Sequence, residues 1–113
     1  MDKIIERGLL FDFYGELLTE HQQKIYSEAV FNDLSLSELS EEEGISRQGI
    51  HDLIKRCDKQ LILYEEKLHL VEKFQLIRKD ASKINEIILS DSNIDSDSKD
   101  QIMKLLGRII EAM

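Results

Sequence analysis

The sequence contains no proline, only five glycines and a single cysteine, Cys57, among its 113 residues. Glycine and proline mark most turns between short strands, so their scarcity disfavours an all-β fold. One cysteine excludes an internal disulfide framework and a Cys-x-x-Cys metal site. No apolar run approaches the roughly 20 residues that span a bilayer. The first residues lack a signal-peptide layout. These absences predict a cytoplasmic, helical protein that does not enter a membrane.

Positive charge is also in short supply. The 15 Lys and Arg residues are outnumbered by 23 Asp and Glu residues, which gives a formal net charge of −8. Proteins that bind nucleic acid without sequence preference rely on clustered Lys and Arg to neutralise phosphates. The balance therefore argues against a general polyanion binder. The whole chain is 42% hydrophobic and 34% charged, a composition that fits a highly charged all-α protein.

Apolar spacing and capping patterns predict about five helices. Apolar residues recur at helical spacing from 3 to 18, and the polar stretch 90–98 reads as a connector before a final helix. A capping box, in which two side chains satisfy free N–H groups at a helix start, predicts where helices begin. Three such patterns pair Thr19 with Gln22, Ser35 with Glu38, and Ser98 with Gln101.

A heptad-like apolar seam runs from Ile50 to Ile88, with one phase shift around Leu70. A periodic stretch of this length predicts an extended helix that packs on another chain or folds back as a bundle. We expect residues 1–58 to form one domain and 59–113 to form a helical extension that mediates self-association. A homodimer is the expected assembly. The candidate interface residues are Leu61, Tyr64, Leu68 and Val71.

The segment 39–53 meets the spacing of a helix-turn-helix. The first helix needs a small residue where the second crosses it, and Ser40 stands there. The turn needs a residue that tolerates positive φ four positions later, which is Gly44. The second helix needs a branched apolar residue six positions beyond, which is Ile50. An apolar wedge between the helices is completed by Leu39, Ile45 and Leu53.

The second helix, capped by Ser46, would present polar side chains on the side away from that wedge. Arg and Gln make bidentate contacts with guanine and adenine, while Lys and Arg reach phosphates. The candidate DNA-binding residues are Ser46, Arg47, Gln48, His51, Lys55 and Arg56. The alternative is that they form only a solvated helix face, because residues 36–43 carry four glutamates and no base. Gly49, inside this helix, predicts a close approach by a neighbouring helix.

Three phrases carry a family resemblance: LLFDFYGELLTEHQ, DLSLSELSEEEGISRQGIHDLIKR and LYEEKLHLVEKF. They resemble the YlxM-like family of small bacterial proteins over roughly residues 5–80. The resemblance implies a helix-turn-helix similar to region 4 of sigma factors, which reads promoter DNA with the equivalent of residues 46–58. Family genes typically neighbour those of the signal recognition particle protein and its receptor, which implies a part in that pathway. Gly49 and His51 stand where the family usually has alanine and tyrosine.

Two functional classes follow. A sequence-specific transcriptional regulator would bind double-stranded DNA in a salt-sensitive way. A non-DNA-binding interaction protein would contact protein or RNA components of the signal recognition particle, through the acidic surface at 38–43 or through the basic helix. The motif geometry favours the first class and the charge balance favours the second. No catalytic motif is present, so we expect neither enzymatic activity nor a cofactor.

Three further features have ordinary explanations. Asp91, Asn93, Asp95 and Asp97 have the alternation of a calcium loop. However, Ser96 replaces its glycine and Ile102 its bidentate acid, so an acidic linker is predicted. The three histidines have no metal-ligand spacing, and no metal is expected. Cys57 is predicted to be a small buried apolar residue. The alternative is a redox-sensing thiol at a dimer seam, activated by nearby Lys and Arg.

Overall fold

The computed structural model describes residues 3–112 and contains no strand in that range. The helices are α1 (Lys3–Tyr14), α2 (Glu20–Val30), α3 (Leu36–Glu43), α4 (Arg47–Leu68), α5 (Leu70–Ser90) and α6 (Ser96–Glu111), with a 3-10 turn at Gly15–Leu17. The predicted all-α class is confirmed. The helices number six rather than about five, because the long periodic stretch is divided into α4 and α5. None of these helices is long and apolar enough to cross a membrane.

Helices α2 and α3 begin where the capping boxes predict. The Thr19 hydroxyl accepts a hydrogen bond from the backbone N–H of Gln22 at 3.2 Å, and the Gln22 side chain accepts one from the Thr19 N–H at 3.0 Å. Ser35 and Glu38 form the same reciprocal pair at the start of α3. Each box satisfies two donors that the first helical turn leaves free.

Helix α6 begins about one turn earlier than predicted. Asp95, not Ser98, is the N-cap, and its carboxylate accepts a hydrogen bond from the Ser98 N–H at 2.6 Å. Aspartate is among the residues preferred at an N-cap, about equal to serine. The apolar periodicity of this helix predicts that Ile102, Leu105, Leu106, Ile109 and Ile110 are all buried, which is wrong in part. Ile102, Leu106 and Ile110 are half-buried, whereas Leu105 and Ile109 are exposed.

The chain divides into two compact units, Met1–His69 and Leu70–Met113. The first unit contains α1 to α4 and the second contains α5 and α6, so the boundary predicted between 58 and 59 lies inside α4. Helix α4 ends at Leu68 and is followed by the C-cap His69, whose φ of 56° is left-handed and uncommon outside glycine. This residue lies next to the phase shift that the apolar seam shows around Leu70.

The core of the first unit forms along one side of α4. Ile50, Cys57 and Leu61 have no exposed surface, and their spacing of seven and four residues keeps them on one side of the helix. Ile50 packs in a cluster with Ile25 of α2 and Leu39 of α3. Because this side of α4 is buried, the opposite side at its start faces solvent.

Hydrogen bonds to the Asp58 carboxylate connect α4 to α1 and α2. The Asp58 carboxylate accepts two hydrogen bonds from the Arg7 guanidinium, one of them at 3.1 Å, and a third from the Tyr26 hydroxyl. The guanidinium lies 5.9 Å from the centre of the Tyr26 ring, on which Phe11 stacks at 5.6 Å. The hydrogen bond with Asp58 raises the pKa of Arg7, and burial raises the pKa of Tyr26. Three helices therefore meet at one carboxylate.

Candidate nucleic-acid interface

The turn between α3 and α4 is closed by Ser40 and Gly44. Gly44 has a φ of 66°, the left-handed conformation that glycine adopts at least cost. Its N–H donates to the Ser40 carbonyl at 3.0 Å, while the Ser40 hydroxyl donates to the carbonyl of Ile45. The small residue predicted at position 40 therefore also ties the two ends of the turn together. Ser46 then caps α4 by accepting from the Gly49 N–H at 3.0 Å.

Gly49 is explained by the turn itself. A Cβ at this position would lie 2.7 Å from Cγ2 of Ile45 and 3.2 Å from the Ser46 hydroxyl oxygen. The prediction that a neighbouring helix approaches here is wrong, because the crowding atoms belong to the turn. Ile45 packs against the cluster of Ile25, Leu39 and Ile50. The glycine thus gives Ile45 room to pack beside the first turn of α4.

All six candidate DNA-binding residues are exposed: Ser46, Arg47, Gln48, His51, Lys55 and Arg56. An α-helix turns by about 100° per residue, so Arg47, His51 and Lys55 follow one another up one side of α4. Gln48 lies beside them and Arg56 is turned further round. Ile50 lies on the buried side, about 60° from Arg47, about 100° from His51 and about 140° from Lys55. Ser46 uses its oxygen as a cap, and its hydroxyl hydrogen is still able to donate to an anion.

Asp52 belongs to this exposed side and was missed in the sequence analysis. Its Oδ1 accepts a hydrogen bond from Nε2 of Gln48 at 2.9 Å and lies 3.8 Å from Nδ1 of His51. The spacing of four residues between Gln48 and Asp52 is the signal that would have revealed the pair. A carboxylate here repels phosphate, and it engages the amide that would otherwise read a base.

Helix α3 adds further negative charge beside the turn. Glu43 pairs with Lys24 at 3.0 Å and with His21 at 3.4 Å, and Lys24 lowers the pKa of Glu43. Glu41 and Glu42 are exposed. Side-chain oxygens of Glu28, Glu42 and Glu43 approach within 4.8 Å of one another, a grouping that the sequence did not reveal. Since Lys24 already neutralises part of this charge, the grouping is explained as a link between α2 and α3.

Cys57 lies away from the candidate interface, on the buried side of α4. Its side chain has no exposed surface, which confirms the predicted buried position. Burial raises the pKa of the thiol to about 11, and the neighbouring Asp58 carboxylate acts in the same direction. Arg56 lowers this pKa, but by less.

The four predicted interface residues do not share one exposed surface. Leu61 is fully buried in the first unit, and Val71 is only 7% exposed. Tyr64 is half-buried, with its ring centre 6.0 Å from that of Tyr14. Leu68 is 46% exposed. A dimer contact through these residues stays a prediction, and Leu68 offers the largest exposed fraction for it.

The chain is similar to proteins of one family along nearly its whole length. A family model described as "Putative helix-turn-helix protein, YlxM / p13 like" matches residues 1–103. A UPF0122 protein of Caldanaerobacter subterraneus is 48% identical over 87 residues, 77% of this chain and 74% of the relative. A UPF0122 protein of Clostridium perfringens is 41% identical over 112 residues, 99% of this chain and all of the relative. One of Shouchella clausii is 39% identical over 107 residues, 93% and 98% of the two chains. The resemblance inferred from the three phrases is confirmed.

Proposed function

The chain belongs to the UPF0122 family of YlxM/p13-like helix-turn-helix proteins, and on that premise we propose that it is a cytoplasmic regulator that binds double-stranded DNA. The observation that carries the proposal is the exposed start of α4. There Arg47, His51 and Lys55 follow one another along one exposed side of the helix, with Lys55 turned furthest from the buried residues. In a helix-turn-helix, the first turns of the second helix enter the major groove and contact base edges. A helix-turn-helix family points to binding rather than to catalysis.

Each candidate residue has a role that its chemistry suits. Arg47 and Gln48, in the first turn, would contact guanine and adenine edges, with His51 one turn further along. Lys55 and Arg56 would contact phosphates, which position the helix without reading sequence. The Ser46 hydroxyl would donate to a phosphate at the helix start, where free N–H groups also favour an anion.

The charge of the protein favours a specific but weak reader. The net charge is −8, and Asp52 stands among the candidate contacts. Non-specific affinity rises with the number of phosphates neutralised, so little of it is expected here. Association of two copies through the region 59–113 would offset this weakness, because a linked second site binds at high effective concentration. We therefore include a homodimer in the proposal.

A second candidate function is contact with protein or RNA components of the signal recognition particle. The observation that favours it is the exposed acidic pair Glu41 and Glu42 beside the turn, together with Asp52 on α4. Such a surface complements a basic protein surface and repels nucleic acid. The exposed basic residues of α4 would serve instead if the contact were with RNA.

The two functions are separated by fluorescence anisotropy with a duplex from upstream of the protein's own operon and a scrambled duplex, each at two salt concentrations. We expect tighter, salt-sensitive binding to the native duplex. Arg47→Ala should weaken it by about 5- to 150-fold, the equivalent of about 1–3 kcal/mol. Asp52→Asn, which removes one repulsive charge, should strengthen it. Lys67→Ala is the matched control, since Lys67 is exposed on the same helix about 30 Å away along its axis.

Absence of binding to either duplex would contradict DNA recognition. The particle's RNA and its protein would then be titrated in the same assay. If the chain binds the particle's protein and Glu41→Gln/Glu42→Gln abolishes that binding, the second function is supported. If it binds the particle's RNA and Arg47→Ala abolishes that binding, α4 is assigned to RNA contact.

A further inference from the structure

Helices α5 and α6 form a hairpin with little core of its own. The connector 91–95 is short, and Nζ of Lys99 lies 3.4 Å from the carbonyl oxygen of Leu89, so α6 starts beside the end of α5. Helices joined in this way run antiparallel. Helix α5 has three buried residues, Val71, Ala81 and Ile88, and α6 has none. Two amphipathic helices bury only one side each, so other apolar residues remain exposed.

Five large apolar residues are exposed along one side of this hairpin. At about 100° per residue, Leu76, Ile84 and Ile87 fall in one sector of α5, roughly a third of a turn from its buried side. Leu105 and Ile109 lie roughly a quarter turn from the half-buried side of α6, in the same rotational sense along the chain. Because the two helices run antiparallel with their buried sides facing each other, rotations of the same sense place both sectors on the same side of the hairpin. The exposed fractions of Leu76, Ile84, Ile87, Leu105 and Ile109 are 58%, 41%, 67%, 48% and 54%. We call these five residues the hairpin stripe.

The opposite side of the hairpin offers no comparable row. Leu89 and Met103 are exposed there, by 57% and 38%. They stand among polar residues, as single apolar side chains commonly do on protein surfaces. The hairpin is therefore apolar on one side only, which is the pattern of a helix pair that packs on another layer.

The charges along the hairpin are complementary to those of an inverted copy. Residues 86–100, around the connector, contain five acidic residues and one lysine. At the other end, residues 72–83 have a net charge of +2 and residues 104–111 a net charge of +1. Two hairpins packed with like ends together would set acid against acid. Two hairpins packed in opposite directions set the acidic end of each against the basic end of the other.

We propose that the hairpin stripe packs against the hairpin stripe of a second copy of this chain, with the two hairpins antiparallel. The resulting dimer is a four-helix bundle with a two-fold axis, in which the hairpin stripe of each copy contacts the hairpin stripe of the other. This inference deepens the proposed self-association of residues 59–113 and is independent of DNA binding. It places the contact on the hairpin stripe and not on Leu61, Tyr64, Leu68 and Val71.

The test is sedimentation of the full-length, DNA-free protein from about 1 to 100 μM, in which a dimer has twice the 13.2 kDa mass of the chain. Ile84→Ser/Ile87→Ser should raise the dimer dissociation constant at least about 100-fold, because four apolar side chains per dimer leave the contact. Leu89→Ser, on the same helix with similar exposure, should change it by less than about threefold. Circular dichroism should show unchanged helicity in all three proteins, because these side chains are already exposed in the single chain.

A wild-type protein that stays monomeric at about 100 μM would overturn the proposal and assign the stripe to another occupant. A dimer lost in Leu68→Ser but kept in Ile84→Ser/Ile87→Ser would overturn it as well. Orientation is tested by Lys79→Glu/Lys83→Glu. This change should weaken an antiparallel dimer by about tenfold at low salt and less at high salt. A stronger dimer would mean that the like ends face each other.

Discussion

A single thiol in α4 illustrates how position, rather than residue type, determines chemistry. Cys57 has basic neighbours in the chain at Arg56 and Lys59, which on sequence grounds favour a reactive thiolate as one hypothesis. Its side chain is fully buried, and burial raises its pKa to about 11. A redox-sensing cysteine needs an accessible thiolate near neutral pH. The environment of Cys57 therefore favours the role of a small apolar residue.

We expect Cys57 of the native protein to react slowly with thiol reagents at pH 7.5 and rapidly once urea unfolds the chain. The rate should rise with pH and level off only above about pH 11, where the thiol is fully ionised. The folded pKa lies above the unfolded value of about 8.5, so the thiol's contribution to stability is complete below that pH and is lost as the pH rises towards 11. Ser82→Cys, at an exposed site, provides the fast-reacting control. Rapid labelling of native Cys57 would favour the redox hypothesis.

At the scale of elements, the turn between α3 and α4 depends on the backbone of Gly44. A Cβ at Gly44 would meet nothing within 4 Å, so replacement affects only the left-handed φ of 66°. Gly8, inside α1, also has open space around it, but its φ is helical. Replacing glycine by alanine is therefore expected to lower the free energy of unfolding at position 44 and to raise it at position 8.

Gly44→Ala should lower the free energy of unfolding by about 1–2 kcal/mol, the cost of a left-handed alanine. Gly8→Ala should raise it by about 0.5–1 kcal/mol, because alanine is the better helix former. Urea unfolding of the two variants beside the wild type measures both. Equal stability of wild type and Gly44→Ala would show that the turn relaxes to another conformation.

The Asp58 carboxylate provides a second prediction at this scale. Asp58→Ala leaves the Arg7 guanidinium and the Tyr26 hydroxyl without their acceptor between three helices. We expect a loss of about 1–3 kcal/mol in urea unfolding. Asp52→Ala, on the exposed side of the same helix, should stay within about 0.5 kcal/mol of the wild type. Similar values for both variants would mean that the three helices are held by apolar packing alone.

The sequence predicted the elements whose signals are local. Capping boxes set the starts of α2 and α3, and the offsets between Ser40, Gly44 and Ile50 located the helix-turn-helix. The division at His69 was harder to predict, because a left-handed histidine has no composition signal. The link from Arg7 to Asp58 joins residues 51 positions apart, which no spacing reveals. At the candidate interface, the exposed side of α4 follows from periodicity, and the link between Gln48 and Asp52 follows only from their spacing of four residues.

At the scale of the whole molecule, the surplus of negative charge decides which partners are attracted. Part of the net charge of −8 is concentrated in residues 38–43, directly before the turn that leads into α4. This negative charge would repel a DNA duplex that approaches α4 and would attract a basic protein surface.

Glu41→Gln/Glu42→Gln therefore distinguishes the two proposed functions. If the protein reads DNA, removing two exposed charges should strengthen duplex binding by about 3- to 10-fold at low salt, with a smaller effect at high salt. Glu66→Gln, near the far end of α4, should have a smaller effect, because that charge lies beyond the screening distance of about 10 Å at 0.1 M salt. Unchanged duplex affinity together with lost binding to a basic protein partner would support the interaction role.

The helix that carries the candidate contacts is already ordered before any ligand arrives. Near the start of α4, Ile50 packs on Ile25 and Leu39, and further along Asp58 is hydrogen-bonded to Arg7 and Tyr26. Docking then requires no folding of this helix, and little conformational entropy is lost on binding. Association would be limited by orientation and long-range charge, not by a slow rearrangement. Selectivity would come from the fixed spacing of Arg47, His51 and Lys55, because the helix does not rearrange to fit a ligand with a different spacing.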